Sequence, residues 1–280
     1  MLRTNNDAIL VNYGTFAVTL DKNRRFLDTS PFGVDIRWFI DPTSAENGVF
    51  LNALQKLDGL TFGPEGMPMD KWVFYNCAEL PGFIYGFAMP GTEMSEREAE
   101  LFGTPPGYVG PVPISMYIAI PMLEPGCWFG HNLASLNPVL PDRKLGFLAT
   151  ITKSMGMKAF QMEQCYGATQ WSSRALNVHT RYGPLDLLTA YTPAHSIEAT
   201  LTYRFDVDEN CLRAAMGDPE AEAHIERPQP DFFLGADNLK GMRQVQSEIE
   251  RGARFQIAGP ASWIGDQGVH PVKRVSPVTS

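Results

Sequence analysis

The chain has 280 residues and a formal net charge of -8, with 23 Lys+Arg against 31 Asp+Glu and no basic run. That balance disfavours phosphate-backbone binding, so no nucleic-acid partner is expected. Hydrophobic residues make up 44 %, too many for a disordered chain, and 25 Gly with 22 Pro disfavour a helical bundle.

Taken in chain order, Ala8–Leu20 reads as a strand. Asp41-Pro42-Thr43 opens a helix running to Leu57, with Val49, Leu51, Leu54 and Leu57 mostly at helical spacing. Lys71–Leu80 and Gly82–Met89 follow as strands, then Ser95–Phe102 as a short acidic helix. Val112–Met122 and Gly126–Leu136 are strands rich in Val, Ile, Tyr and Trp, and Leu145–Phe160 is a helix. Leu176–Arg181 and Leu185–Thr192 read as a strand pair turned at Tyr182-Gly183-Pro184, with Thr200–Val207 as the next strand. Residues 208–231 read as a long exposed loop, and Asn238–Ile249 as a polar helix with Met242, Val245 and Ile249 on one side. No repeat or linker divides the chain, so one domain is expected over residues 1–280. The pattern predicts an α+β fold, mainly antiparallel β.

No apolar run of ~20 residues exists, so no membrane partner is expected. The opening MLRTNNDAIL lacks the features of a signal peptide. Cys77, Cys127, Cys165 and Cys211 lie far apart without a CxxC pair and read as reduced, mostly buried thiols of a cytoplasmic protein. The motif tests for a P-loop, a Rossmann turn and a GxSxG elbow all fail. His131, His179, His195, His224 and His270 form no ligand motif, so no metal and no cofactor is expected. His179, placed in mid-strand, is the histidine read as facing a cavity.

One arrangement points to a family. Lys153-Ser154-Met155-Gly156-Met157-Lys158-Ala159-Phe160 precedes the expected strand pair, Trp128-Phe129-Gly130-His131 lies before it, and Ala258-Gly259-Pro260-Ala261-Ser262 stands near the end. This order resembles the acetoacetate decarboxylase-like superfamily over roughly residues 32–275. The resemblance implies a closed or cone-shaped β-barrel around a central cavity, with a few peripheral helices and a reactive lysine at Lys158. The family's adjacent lysine pair is absent, because Ala159 follows Lys158, and Asp142-Arg143-Lys144 lacks the family's Glu. Desolvation, or Arg143, Lys144 or Lys153 in space, then has to supply the shift that frees the amine.

The chemistry follows from an amine in an apolar setting. Lys158, beside Met157, Ala159 and Phe160, condenses with a carbonyl to an iminium ion that acts as an electron sink. The expected activity is a Schiff-base lyase on a small 2-oxo or 3-oxo acid, by decarboxylation or aldol addition–dehydration. Lys153 is the alternative nucleophile. Arg37 is the candidate partner of a substrate carboxylate, His131 and His179 are candidate acid/base groups with Glu100, Glu124 and Glu163, and Gln170 with Trp171 is a candidate cavity wall. Two readings from other classes stay open: a cavity protein that binds an apolar small molecule without chemistry, and a lysine-independent hydrolase or cyclase. A homo-oligomer is a further expectation.

Overall fold

A computed structural model describes residues 7–65, 68–79, 83–137, 145–193 and 199–275. The chain divides into two compact units, Met1–Pro121 with Gly130–Met162, and Met122–Phe129 with Glu163–Ser280.

The first unit carries α1 (Asp7–Asn12), β1 (Gly14–Val18), β2 (Ile36–Ile40), α2 (Gly48–Phe62), α3 (Lys71–Glu79), β3 (Ile84–Pro90), α4 (Glu96–Phe102), β4 (Pro111–Pro113), β5 (Ser115–Pro121), the later part of β6 (Cys127–Ser135) and α5 (Leu148–Ala159). Its strands lie in the order β2-β1-β3-β5-β6, with β4 on β3. β1 runs parallel to β2 and antiparallel to β3, and β3 runs antiparallel to β5. β3 is buried from Ile84 to Met89 because α3 and α5 both pack on it, which explains its unbroken apolar run. On α2, Phe50, Leu51, Leu54, Leu57 and Asp58 share the buried face, and the Phe50 ring meets Phe16 edge-on at 4.8 Å. Gly156 lets α5 approach β5, since a Cβ there would lie 2.9 Å from the Tyr117 ring.

The second unit begins with the first residues of β6 and continues with β7 (Gln164–Gln170), α6 (Ala175–His179), β8 (Leu185–Thr189), β9 (Thr200–Asp206), α7 (Glu209–Ala215), α8 (Pro219–Glu222), β10 (Phe232–Gly235), α9 (Leu239–Glu250), β11 (Arg254–Ile257), β12 (Ser262–Ile264) and β13 (Gln267–Val275). Its order is β10-β13-β11-β8-β9-β7, with β12 on β13. The pairings β7–β9, β8–β9, β8–β11, β11–β13 and β10–β13 are antiparallel. α9 buries Met242 and Val245 and packs on β8 and β11.

The expectation of a closed or cone-shaped barrel is overturned. The strand order is a path with two ends, β10 and β2, and a barrel requires its first and last strands to pair. The sheet is mixed and open. Ala8–Leu20, expected as one strand, begins in α1 and is strand only over Gly14–Val18, and two further segments expected as strands are helices. Lys71–Leu80 is β-prone in composition, yet residues 71–79 form α3, with Phe74 buried and Trp72 59 % exposed. In Leu176–Arg181, Leu176, His179 and Thr180 are buried at helical spacing, and the Thr180 hydroxyl donates to the Leu176 carbonyl at 3.1 Å. Tyr182-Gly183-Pro184 therefore joins a helical turn to β8 rather than two strands. The helix expected from Asp41 begins at Gly48, and the loop expected over residues 208–231 contains α7 and α8.

Gly86 gives the most direct test of this packing. A Cβ at Gly86 would overlap the Ser115 carbonyl oxygen and lie 2.7 Å from the Phe16 ring. Gly86→Ala is expected to lower stability by about 2–3 kcal/mol, because neither β5 nor the core can withdraw that far. Urea denaturation measures this, and an unchanged midpoint would contradict the packing of β1, β3 and β5.

Candidate functional site

The helical stripe that buries Leu54 and Leu57 also buries Asp58, whose exposure is 0 %. A buried carboxyl needs donors. Its Oδ2 accepts from the Met69 backbone N–H at 2.6 Å, and its Oδ1 accepts from Asn132 Nδ2 at 2.8 Å. Burial pushes the Asp58 carboxyl above its ordinary value, against the opposing pull of the Met69 N–H, the Asn132 amide and the His131 ring. Asn132 is buried on β6, and its side-chain oxygen lies 2.6 Å from Nδ1 of the adjacent His131, which is exposed.

The direction of this chain is set by chemistry. Asn132 gives an N–H to Asp58, so its oxygen faces the histidine. A carbonyl oxygen only accepts, so Nδ1 carries the hydrogen and Nε2 of the neutral ring keeps its lone pair. Asp58, Asn132 and His131 thus form an anchor, an orienter and a base within the first unit.

The other residues expected at the site are dispersed. Lys158 lies in the last turn of α5, half-buried, with Nζ 5.7 Å from the centre of the Phe32 ring. Lys153, one and a half turns earlier, is the buried lysine, at 1 % exposure with Nζ 5.9 Å from the centre of the Tyr117 ring. Arg37 is exposed on β2 with its guanidinium 4.6 Å over the Trp38 ring. Three strands separate β2 from β6, so Arg37 and His131 stand roughly 19 Å apart across the sheet and are not brought together. In the second unit, Gln170 ends β7 and accepts from the Ser172 hydroxyl at 3.5 Å. Trp171 is fully buried and donates to the Ala190 carbonyl at 2.8 Å, which makes it a core residue. His179 lies on α6 rather than in mid-strand, and its ring stands 5.1 Å from that of Tyr203. Arg143, Lys144 and His195 lie outside the described residues.

Asp58 and Asn132 escaped the sequence reading. The signal for Asp58 was its place four residues after Leu54 on the apolar stripe of α2. Asn132 carried no comparable signal, since its partner lies 74 residues away.

Several polar groups are buried for structure. Cys127, Cys165 and Cys211 are buried, and burial pushes the Cys211 thiol up to about 12, which keeps it protonated and inert. The Cys77 side chain lies outside the described residues. His270 is 0 % exposed and donates from Nε2 to the Trp171 carbonyl at 2.7 Å. Among the described residues no group of three or more His, Cys, Asp or Glu side chains is arranged to hold a metal ion. No helix among them is long and apolar enough to cross a membrane.

No family model matches the chain, and no curated protein matches it. Among solved structures, a chain in the "Crystal structure of the NatC complex bound to Gag peptide and CoA" is similar over 60 % of this chain and 97 % of its own, at 13 % identity and a TM-score of 0.41. A likeness of that size fixes neither family nor activity.

His270 generates a pH prediction. Burial holds its imidazole below the ordinary histidine value of about 6.5. Below that value the unfolded chain takes up the proton while the folded chain resists it, so stability is complete above 6.5 and falls as pH drops toward the folded value. In His270→Gln this slope is absent, and the stability difference between wild type and variant shrinks between about pH 6.5 and pH 5. Denaturation series at several pH values measure it, and parallel curves would refute the assignment.

Proposed function

We propose that this chain is an enzyme in which His131 acts as a general base on a nucleophile brought by the substrate or by water. The reaction class is acyl transfer to an acceptor, or hydrolysis of an acyl derivative, without a lysine adduct. The observation that supports this reading is the hydrogen-bonded chain from buried Asp58 through Asn132 to exposed His131. A base held by an orienting group is the recurring arrangement for activating a nucleophile. Among the described residues no hydroxyl or thiol is hydrogen-bonded to His131, so the nucleophile is not a side chain of the relay.

In the proposed step the nucleophile attacks a carbonyl carbon as its proton passes to His131 Nε2. The ring becomes an imidazolium, whose Nδ1–H stays on the Asn132 oxygen. Collapse of the tetrahedral intermediate expels the leaving group, which recovers the proton from Nε2.

The test is turnover of p-nitrophenyl acetate in water, and of an acyl thioester with amine acceptors. His131→Ala is expected to lower kcat/KM by about 10²–10⁴. Asn132→Ala, which removes a positioning residue, is expected to cost about 10–100-fold and to displace the pH–rate profile, as loss of an orienting partner does. Full activity in His131→Ala would reject the reading.

A second reading rests on the burial of Lys153. A lysine at 1 % exposure is rare. Within the Schiff-base lyase expected from the sequence, this favours Lys153 over Lys158 as the amine that meets a 2-oxo or 3-oxo acid. Borohydride reduction with pyruvate or acetoacetate, followed by peptide mapping, tests it. A single adduct on Lys153 supports the reading, and no adduct, or adducts spread over exposed lysines, rejects it.

A further inference from the structure

The first unit holds a cleft of ≈ 640 Å³ that shares Met69 with the Asp58 anchor, within the ~300–1,000 Å³ range of small-ligand sites. One wall is the outer side of α2, with Asn52, Gln55, Lys56 and Leu60, and the other is Met69 with Phe102 at the end of α4. Leu60, Met69 and Phe102 supply an apolar floor, and Phe102 is 1 % exposed. The polar groups favour one charge. Among the described lining residues there is no Asp or Glu, and Lys56 has no hydrogen bond or ion pair among the described residues. The Asn52 side-chain oxygen accepts from Lys71 Nζ at 2.8 Å. That bond leaves the Asn52 N–H groups free to face the cleft as donors.

We infer that this cleft binds a small amphipathic carboxylate, with the anion at Lys56 and Asn52 and an aliphatic body on Leu60, Met69 and Phe102. Lys56, exposed to solvent, is the one charged side chain among the described lining residues, which favours an anion, and the apolar lining favours a ligand that also carries an aliphatic part. A strongly anionic polymer is disfavoured by the chain's net charge of -8. The site is separate from His131, so its occupancy is measured by binding alone and does not depend on the catalytic reading.

Octanoate and 1-octanol serve as probes in calorimetric titration of the full chain. Octanoate is expected to bind saturably at one site, and 1-octanol about tenfold more weakly, because it lacks the charge. Lys56→Glu is expected to weaken octanoate about tenfold or more, while Lys56→Arg keeps affinity within about threefold. Leu60→Asp should abolish binding. Lys240→Glu, on α9 of the second unit, is the charge control and should bind as wild type does. Octanoate that fails to saturate, or that binds Lys56→Glu and Lys240→Glu equally, overturns the inference.

Discussion

A carboxyl group without water is the constraint on which the first unit turns. Asp58 sits on the apolar stripe of α2 at 0 % exposure, where an unpaired carboxylate would be very costly. Two donors answer it, the Met69 N–H and the Asn132 amide, one just before α3 and the other on β6. The carboxyl therefore ties three separate parts of the chain to one point. Removing either donor would leave a buried acceptor short by one bond, at about 1–3 kcal/mol. An apolar residue would fill the same space more cheaply, since a buried polar group is weak evidence for stability as such. What Asp58 adds is direction: it fixes which way Asn132 points, and Asn132 fixes which nitrogen of His131 bears the hydrogen.

The second unit uses its buried ionisable groups for structure. Burial raises the Tyr203 hydroxyl and the Cys211 thiol and lowers His270, so each is held neutral. Their rings and hydrogen bonds brace the sheet. The Tyr203 ring stacks on Phe205 at 6.4 Å, and His270 meets Trp171 edge-on at 5.3 Å. These are the marks of a core. The groups with chemical direction, Asp58, Asn132 and His131, belong to the first unit.

Much of the local structure was legible in the sequence, because local structure follows from short-range pattern. The strands near Gly82–Met89, Gly126–Leu136 and Thr200–Val207, and the helices near Ser95–Phe102, Leu145–Phe160 and Asn238–Ile249, all correspond to elements. α4 is a clear case, since Ser95 and Glu98 form a capping box and Gly103 closes the helix in the left-handed region. The reading failed where β-prone residues fold as helix under tertiary contacts, at α3 and α6. It failed again on closure, because whether edge strands meet is a property of the whole order of pairing and not of any one strand. At the candidate site His131 was named, but its orienting partners were not. Spacing along one chain does not show that residue 132 will face residue 58. The flanking residues of Lys158 suggested burial, yet the lysine turned toward β5 is Lys153.

The central claim is the polarity of the relay, and nitrogen NMR reads it directly. A histidine side chain in water favours the hydrogen on Nε2. If Asn132 presents its oxygen to His131, the neutral ring carries the hydrogen on Nδ1, and the two ring nitrogens show that tautomer in wild type and lose the preference in Asn132→Ala. A neutral His131 with its hydrogen on Nε2 in the wild-type protein would contradict the account, because the base it requires would have no lone pair to offer.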